Sequence, residues 1–177
     1  MSKRACGACD LCCKLLPVKD INKPANTRCE YQHLLPGHGC SIYPLRPYSC
    51  AMWTCRWLKN PAATAKLERP DISHYVIDVV PDYVTFRDDN TGEVRGRHPV
   101  LQVWCDPDHR DAHQDPALRE LLEQHHVMAL VRYSSSEAFL LAPPSVTGAG
   151  WVEKKSTQPP EPQHTGEQLR AVMGAMR

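Results

Sequence analysis

Eight of the nine cysteines in this 177-residue chain fall within its first 55 residues, at positions 6, 9, 12, 13, 29, 40, 50 and 55; the ninth is Cys105. Thiols at that density leave two ways to fold: a disulfide framework or a metal centre. The residues before Cys6 carry positive charge with no apolar stretch behind them, so no signal peptide is expected. That reading places the chain in the reducing cytoplasm, where crowded thiols serve as metal ligands. An odd number of cysteines also fits a closed disulfide set poorly. The remaining composition agrees with a metal-stabilised fold. Sixteen Pro and two Phe at 42% hydrophobic content describe a loop-rich protein with a modest core. No run of 18 apolar residues exists, so no membrane span is expected.

Local spacing supports coordination. Cys6-Gly7-Ala8-Cys9-Asp10-Leu11-Cys12-Cys13 is a C-x-x-C-x-x-C-C run. Each C-x-x-C step turns the chain tightly enough to aim two sulfurs at one ion or one cluster face, and Gly7 tolerates the positive φ such a turn demands. Three cysteines in series resemble the ferredoxin ligand run, whereas zinc sites more often use two separated knuckles. The run therefore leans toward an iron–sulfur cluster, with [4Fe–4S] the first choice, and zinc stays open. Further ligands are Cys29, Cys40, Cys50 and Cys55. Spacing does not allocate them among sites. Cys50 and Cys55 stand about 140° apart on an ideal helix, so either one precedes the helix or they serve different sites. Vicinal Cys12 and Cys13 are expected to point in different directions.

Two blocks carry a resemblance. Cys6, Cys9, Cys12, Cys13 and then Cys29 form the first. Cys40-Ser41-Ile42-Tyr43-Pro44-Leu45-Arg46-Pro47-Tyr48-Ser49-Cys50, closing with Cys55, forms the second. Together they resemble the cysteine-cluster family named for its C-x-x-C-x-x-C-C signature and described as zinc- or iron-chelating proteins. The match covers roughly the first third of the chain. It implies metal binding and no defined reaction. A related cysteine pattern occurs in flagellin lysine N-methylases, but nothing else in this chain resembles one.

Around the cysteines, Arg46 is a candidate cofactor-binding residue that donates hydrogen bonds to metal-bound thiolate; pairing with a surface carboxylate is the alternative. Pro47 suits the first turn of a helix. Tyr43 is expected to cover the site. Trp53 and Trp57, four apart, are expected to share a helical face as a hydrophobic lid. Residues 1–60 hold nine Lys/Arg against three acids, a surplus of six, whereas the whole chain has net charge +1. Compensation of anionic thiolates explains that surplus better than nucleic-acid binding, which the overall charge argues against.

The expected fold class is α+β. An irregular cysteine-rich metal-binding module over residues 1–60 precedes a small mixed sheet region over 61–142 with one covering helix. A Pro-rich linker at 143–164 and a short amphipathic helix at 165–177 form an extended C-terminal arm. Residues 61–73 read as a connector. Strands are expected at 74–80, 83–86, 100–104, 127–133 and 137–141. Asp115 caps a helix begun by Pro116, with Leu118, Leu121 and Leu122 as its apolar stripe. A helix between strands 100–104 and 127–133 makes them parallel neighbours. In the arm, Thr165 to Gln168 read as a capping box, and Leu169, Val172, Met173 and Met176 form one stripe. That stripe docks on its own domain or on a protein partner.

Cys105, His109 and His113 have ligand-like spacing, but Asp106, Pro107 and Asp108 make the segment an irregular loop. Cys105 reads as a buried strand-end thiol and His125-His126 as a helix terminus. No dinucleotide-binding, phosphate-loop, nucleophile-elbow or zinc-protease motif is present. No catalytic residue is assigned, and enzymatic activity is not the favoured reading. The leading expectation is a non-catalytic metal-binding structural or interaction protein. The alternatives are an iron–sulfur oxidoreductase or electron-transfer protein, and a zinc-stabilised nucleic-acid binder.

Overall fold

Residues 100–105, Val-Leu-Gln-Val-Trp-Cys, are apolar on alternating sides, and a strand apolar on both faces belongs inside a sheet with both faces covered. The computed structural model describes residues 4–33, 39–79, 81–88 and 90–156. It contains six strands: β1 (Tyr75–Ile77), β2 (Asp82–Arg87), β3 (Val94–Cys105), β4 (Met128–Arg132), β5 (Ala138–Ala142) and β6 (Val152–Lys155). The helices are short: α1 (Leu11–Leu15), α2 (Tyr48–Met52), α3 (Arg56–Lys59), α4 (Pro70–Ser73), α5 (Pro116–Gln124) and α6 (Pro144–Thr147). The class is α+β, with one mixed sheet and few helices.

The sheet runs β1-β3-β4-β5-β6, with β2 also on β3. β1 and β2 lie end to end along one edge of β3, both antiparallel, in registers Tyr75↔Cys105 and Asp82↔Val100. On the other edge β3 and β4 are parallel, Val100↔Met128 to Trp104↔Arg132, and α5 makes the crossover. β4–β5 and β5–β6 are antiparallel.

Period-two alternation sorts the strands onto two faces. Leu101, Val103 and Cys105 join Tyr75, Ile77, Ala129 and Val131 on the side covered by α5, whose Leu118, Leu121 and Leu122 complete the cluster. Val76 and Trp104 face the other way and are covered by Leu11, Leu15, Leu16 and Cys55. The cysteine-rich segment is thus the second layer on the sheet. Further along this face, Val84, Val100, Met128 and Leu130 form a satellite cluster.

Two expectations need correcting. β3 begins at Val94, not near Val100. Gly96 and Pro99 hide its first half, and a proline is tolerated because β4 pairs only from Val100 onward, leaving one side open. The expected linker holds the α6 turn and a sixth strand, β6. All four β6 residues are exposed, so no buried face imposes an alternation; main-chain pairing with β5 alone makes the strand. The rest of the expected linker and the 165–177 helix lie outside the described residues. Toward the start of the sheet, β1 stops at Ile77 because Asp78 bridges Cys55 while donating its N–H to Gln102 at 2.9 Å. No helix among the described residues is long and apolar enough to cross a membrane.

Candidate metal centre

The first knuckle forms as its spacing demands. The Cys9 N–H donates to the Cys6 carbonyl at 2.8 Å, and Gly7 sits at φ +53°. A Cβ there would meet the nearest atom, on Arg69, only at 3.8 Å, so the backbone angle calls for glycine rather than lack of room. Four residues on, Leu11 and Leu15 lie one helical turn apart on α1 and are both buried. They anchor α1 on the sheet and hold Cys12 and Cys13 at the seam between the sheet and the loops.

None of the nine cysteines is in a disulfide. Their neighbours divide them. Cys12 has Cys9 and Cys55 beside it. Cys13 faces Lys23 and Arg46. Cys50 lies near Cys13 and Cys29, and Cys6 stands near Cys13 and Cys55. Cys12 and Cys13 diverge toward different neighbours, yet their thiols remain hydrogen-bonded to each other, contrary to a full separation of the vicinal pair. Cys50 lies within α2, whereas Cys55 is extended backbone before α3. The two serve different neighbourhoods. Cys40 bridges Gln32 in the backbone, and adjacent Gly39 comes close to the Gly7 carbonyl, which brings this segment to the first knuckle.

The electrostatics follow from burial. It pushes the Cys9 thiol up to about 12 and Cys50 to about 11, and raises Cys6 and Cys55 as well. The Cys12–Cys13 hydrogen bond keeps the proton on Cys12, whose thiol rises, and lowers Cys13. The same bond makes Cys13 the more acidic thiol of the pair. Asp71, held by Arg69 at 2.6 and 2.7 Å, contacts Cys9 from α4, an element expected only as connector.

Two cations complete the site. Arg46 stands beside Cys6 and Cys13, stacks on the Tyr43 ring at 3.9 Å, and has its Nε buried without a partner among the described residues. Tyr43 is itself exposed and supports Arg46 rather than covering the cysteines. Lys23, which nothing in the sequence distinguishes from the other basic residues, is buried. Its ammonium donates to the carbonyls of Leu16 at 2.5 Å, Pro24 at 3.1 Å and Lys14 at 3.2 Å, and Cys29, Cys13, Cys12 and Cys50 surround it. Burial lowers its pKa and the thiols oppose that. The tight turn Val18–Lys23, closed by a two-way backbone bridge, points it inward.

Trp53 and Trp57 do not share a helix, because the chain is extended at Trp53 and Cys55 and so parts α2 from α3. Both still pack at the seam, Trp57 against both main clusters. Cys105 lies at the end of β3, fully buried on the α5 side. His113 is remote from His109 in its bonding, with Nδ1 at 2.7 Å from the Tyr133 hydroxyl. Among the described residues, one group of three Cys, His, Asp or Glu donors has all ligand atoms within 4.8 Å, and it is His74, Asp106 and His109. No three cysteine sulfurs among the described residues come that close to one another. The chain matches no protein-family model, no curated protein and no solved structure. The cysteine-cluster resemblance thus rests on the quoted residues alone.

Proposed function

We propose that the clustered cysteines hold a metal centre, an iron–sulfur cluster before zinc, in a non-catalytic structural or interaction protein of the reducing cytoplasm. The observation that carries this reading is Lys23. A buried ammonium whose hydrogen-bond partners are neutral carbonyls is stabilised in its charged form by an anion nearby. The groups around it are thiols, which become anions when a metal displaces their protons. Arg46 fits the same role, with a buried N–H free to donate to a thiolate or cluster sulfur.

Donor spacing favours the cluster. A single tetrahedral zinc holds its sulfurs about 3.8 Å apart, as follows from a Zn–S bond of about 2.3 Å. Iron atoms in a cluster each take their own thiolate and tolerate wider spacing. Cys6, Cys9, Cys12, Cys13, Cys29, Cys40, Cys50 and Cys55 are the donor set, with Lys23 and Arg46 as its counter-charges. When bound, the group supplies a crosslink among loops that lack a core of their own, and a one-electron centre. The nine free thiols suit a reducing compartment.

Iron, zinc and sulfide content, with an absorption spectrum, on anaerobically purified protein test the reading. Expected is a brown protein containing iron and acid-labile sulfide, with the visible absorption of a thiolate-bound iron–sulfur cluster. Cys12→Ser and Lys23→Met should each lower metal content, while Cys105→Ser retains it. Colourless protein with stoichiometric zinc would overturn the cluster, and metal lost only in Cys105→Ser would overturn the site.

A further inference from the structure

We propose that His74, Asp106 and His109 form a second metal site, independent of the cysteines, for a divalent transition-metal ion such as zinc, iron(II) or cobalt(II). The ladder itself brings these residues together. Tyr75 pairs with Cys105, so His74 and Asp106 are the next residues out at that end of the sheet. The Asp106 N–H donates to the His74 carbonyl at 2.8 Å, and the His109 N–H donates to the Asp106 carbonyl at 2.9 Å. His74 sits at φ +61°, a left-handed conformation that turns the chain from α4 into β1. One ligand atom from each residue lies within 4.8 Å of the other two.

Two imidazoles and one carboxylate are a donor set that selects borderline transition metals over magnesium or calcium. The carboxylate is preset: Asp106 is buried, and the Asp108 N–H donates to its Oδ1 at 3.1 Å. His109 Nδ1 faces Asp106 Oδ2 at 3.9 Å and is buried without a hydrogen-bond partner among the described residues. A polar atom in that position lacks what a bound ion would supply. The His74 and His109 rings are stacked, with centroids 3.4 Å apart and 4° between their planes. Parallel rings hold their lone pairs in parallel planes, so the ring of partly exposed His109 must tilt as the ion enters.

Lys14 occupies the carboxylate in the meantime, at 2.7 Å from Asp106, and also reaches Asp108 at 2.6 Å. Asp108 therefore keeps the ammonium paired when Asp106 turns to a metal. Lys14 follows Cys13 directly on α1, so the two sites share a helix and no ligand.

The test is equilibrium dialysis of the full-length protein, with its cysteine-bound metal in place, against Co²⁺. Cobalt is counted per chain and its ligands are read from cobalt X-ray absorption. One added cobalt with nitrogen and oxygen ligands is expected. His109→Ala, at a partly exposed turn, should weaken binding by more than about a hundredfold, beyond the roughly 10–100-fold loss typical of removing an outer-shell partner. His74→Asn, which keeps a residue tolerant of positive φ, should do the same. In both variants the cysteine-bound metal should be unchanged, which separates this site from the first. Cobalt held through sulfur, or binding equal in wild type and the His74→Asn/His109→Ala double variant, would overturn the proposal.

Discussion

At the scale of single residues, burial decides chemistry more than residue type does. Nine basic residues lie in the first sixty, and only their placement separates them. Lys23 is enclosed with four thiols near it, whereas Lys19 and Lys59 are exposed. Nine cysteines divide in the same way. Cys105 is buried on the α5 face, and burial pushes its thiol from 9.0 up to about 12. Tyr75 and Tyr133 are raised by burial too. The folded state holds these protons more tightly than the unfolded chain. Unfolding therefore releases protons once the pH passes the unfolded values, and stability falls as pH rises from about 9 toward the folded values. Urea midpoints measured between pH 9 and 11 should decline. The decline should be shallower in Cys105→Ala, whose cavity cost is the same at every pH. Equal slopes would show that this thiol is not held protonated by the fold.

At the scale of elements, α5 is where local rules suffice. Pro116 starts it, and the Asp115 carboxylate accepts the Ala117 N–H at 2.9 Å. The other Asp115 oxygen accepts the hydroxyl of buried Tyr75 at 2.6 Å, tying the crossover helix to β1. Asp115→Ala removes a cap worth about 1 kcal/mol and strands a buried hydroxyl at a cost of about 1–3 kcal/mol. Tyr75→Phe keeps the cap and should cost less. The Asp115→Ala/Tyr75→Phe pair should be less destabilised than the sum of the singles, because both remove one shared bond. Denaturant midpoints of the four proteins check this. The cap, the Leu118–Leu121–Leu122 stripe and the parallel β3–β4 pair were legible because each depends on residues close in sequence or on a connection rule. β6 was not, since an exposed edge strand has no apolar face to announce it.

At the scale of the whole molecule, the cysteine-rich segment and the sheet form one packed unit. Leu11, Leu15 and Leu16 share a cluster with Val76 and Trp104, and Trp57 spans the two main clusters. Arg4 ties the amino-terminal side in as well, stacking on Trp57 at 4.5 Å and donating to the Trp57 carbonyl at 2.7 Å. Every candidate ligand lies at or before His109, so removal of residues 165–177 should leave metal content per chain unchanged. Metal analysis of the truncated protein checks that expectation, and loss of metal would mean the arm helps build the site. If the arm instead captures a protein partner, Leu169→Asp should abolish the pull-down while metal content stays constant.

The chain's own order of residues was enough to establish a thiol-rich amino-terminal segment, a C-x-x-C knuckle with glycine in its turn, an α+β pattern and a capped crossover helix. Those are properties of neighbours a few residues apart. Tertiary structure alone decided the rest. It divided the thiols between neighbourhoods, enclosed Lys23, brought Asp71 to Cys9, laid α1 on the second face of the sheet, and set His74 beside Asp106. Each of these joins residues far apart in sequence or depends on burial. Burial belongs to the packed whole: a lysine or histidine carries no local mark of whether water, a carbonyl or another side chain will surround it.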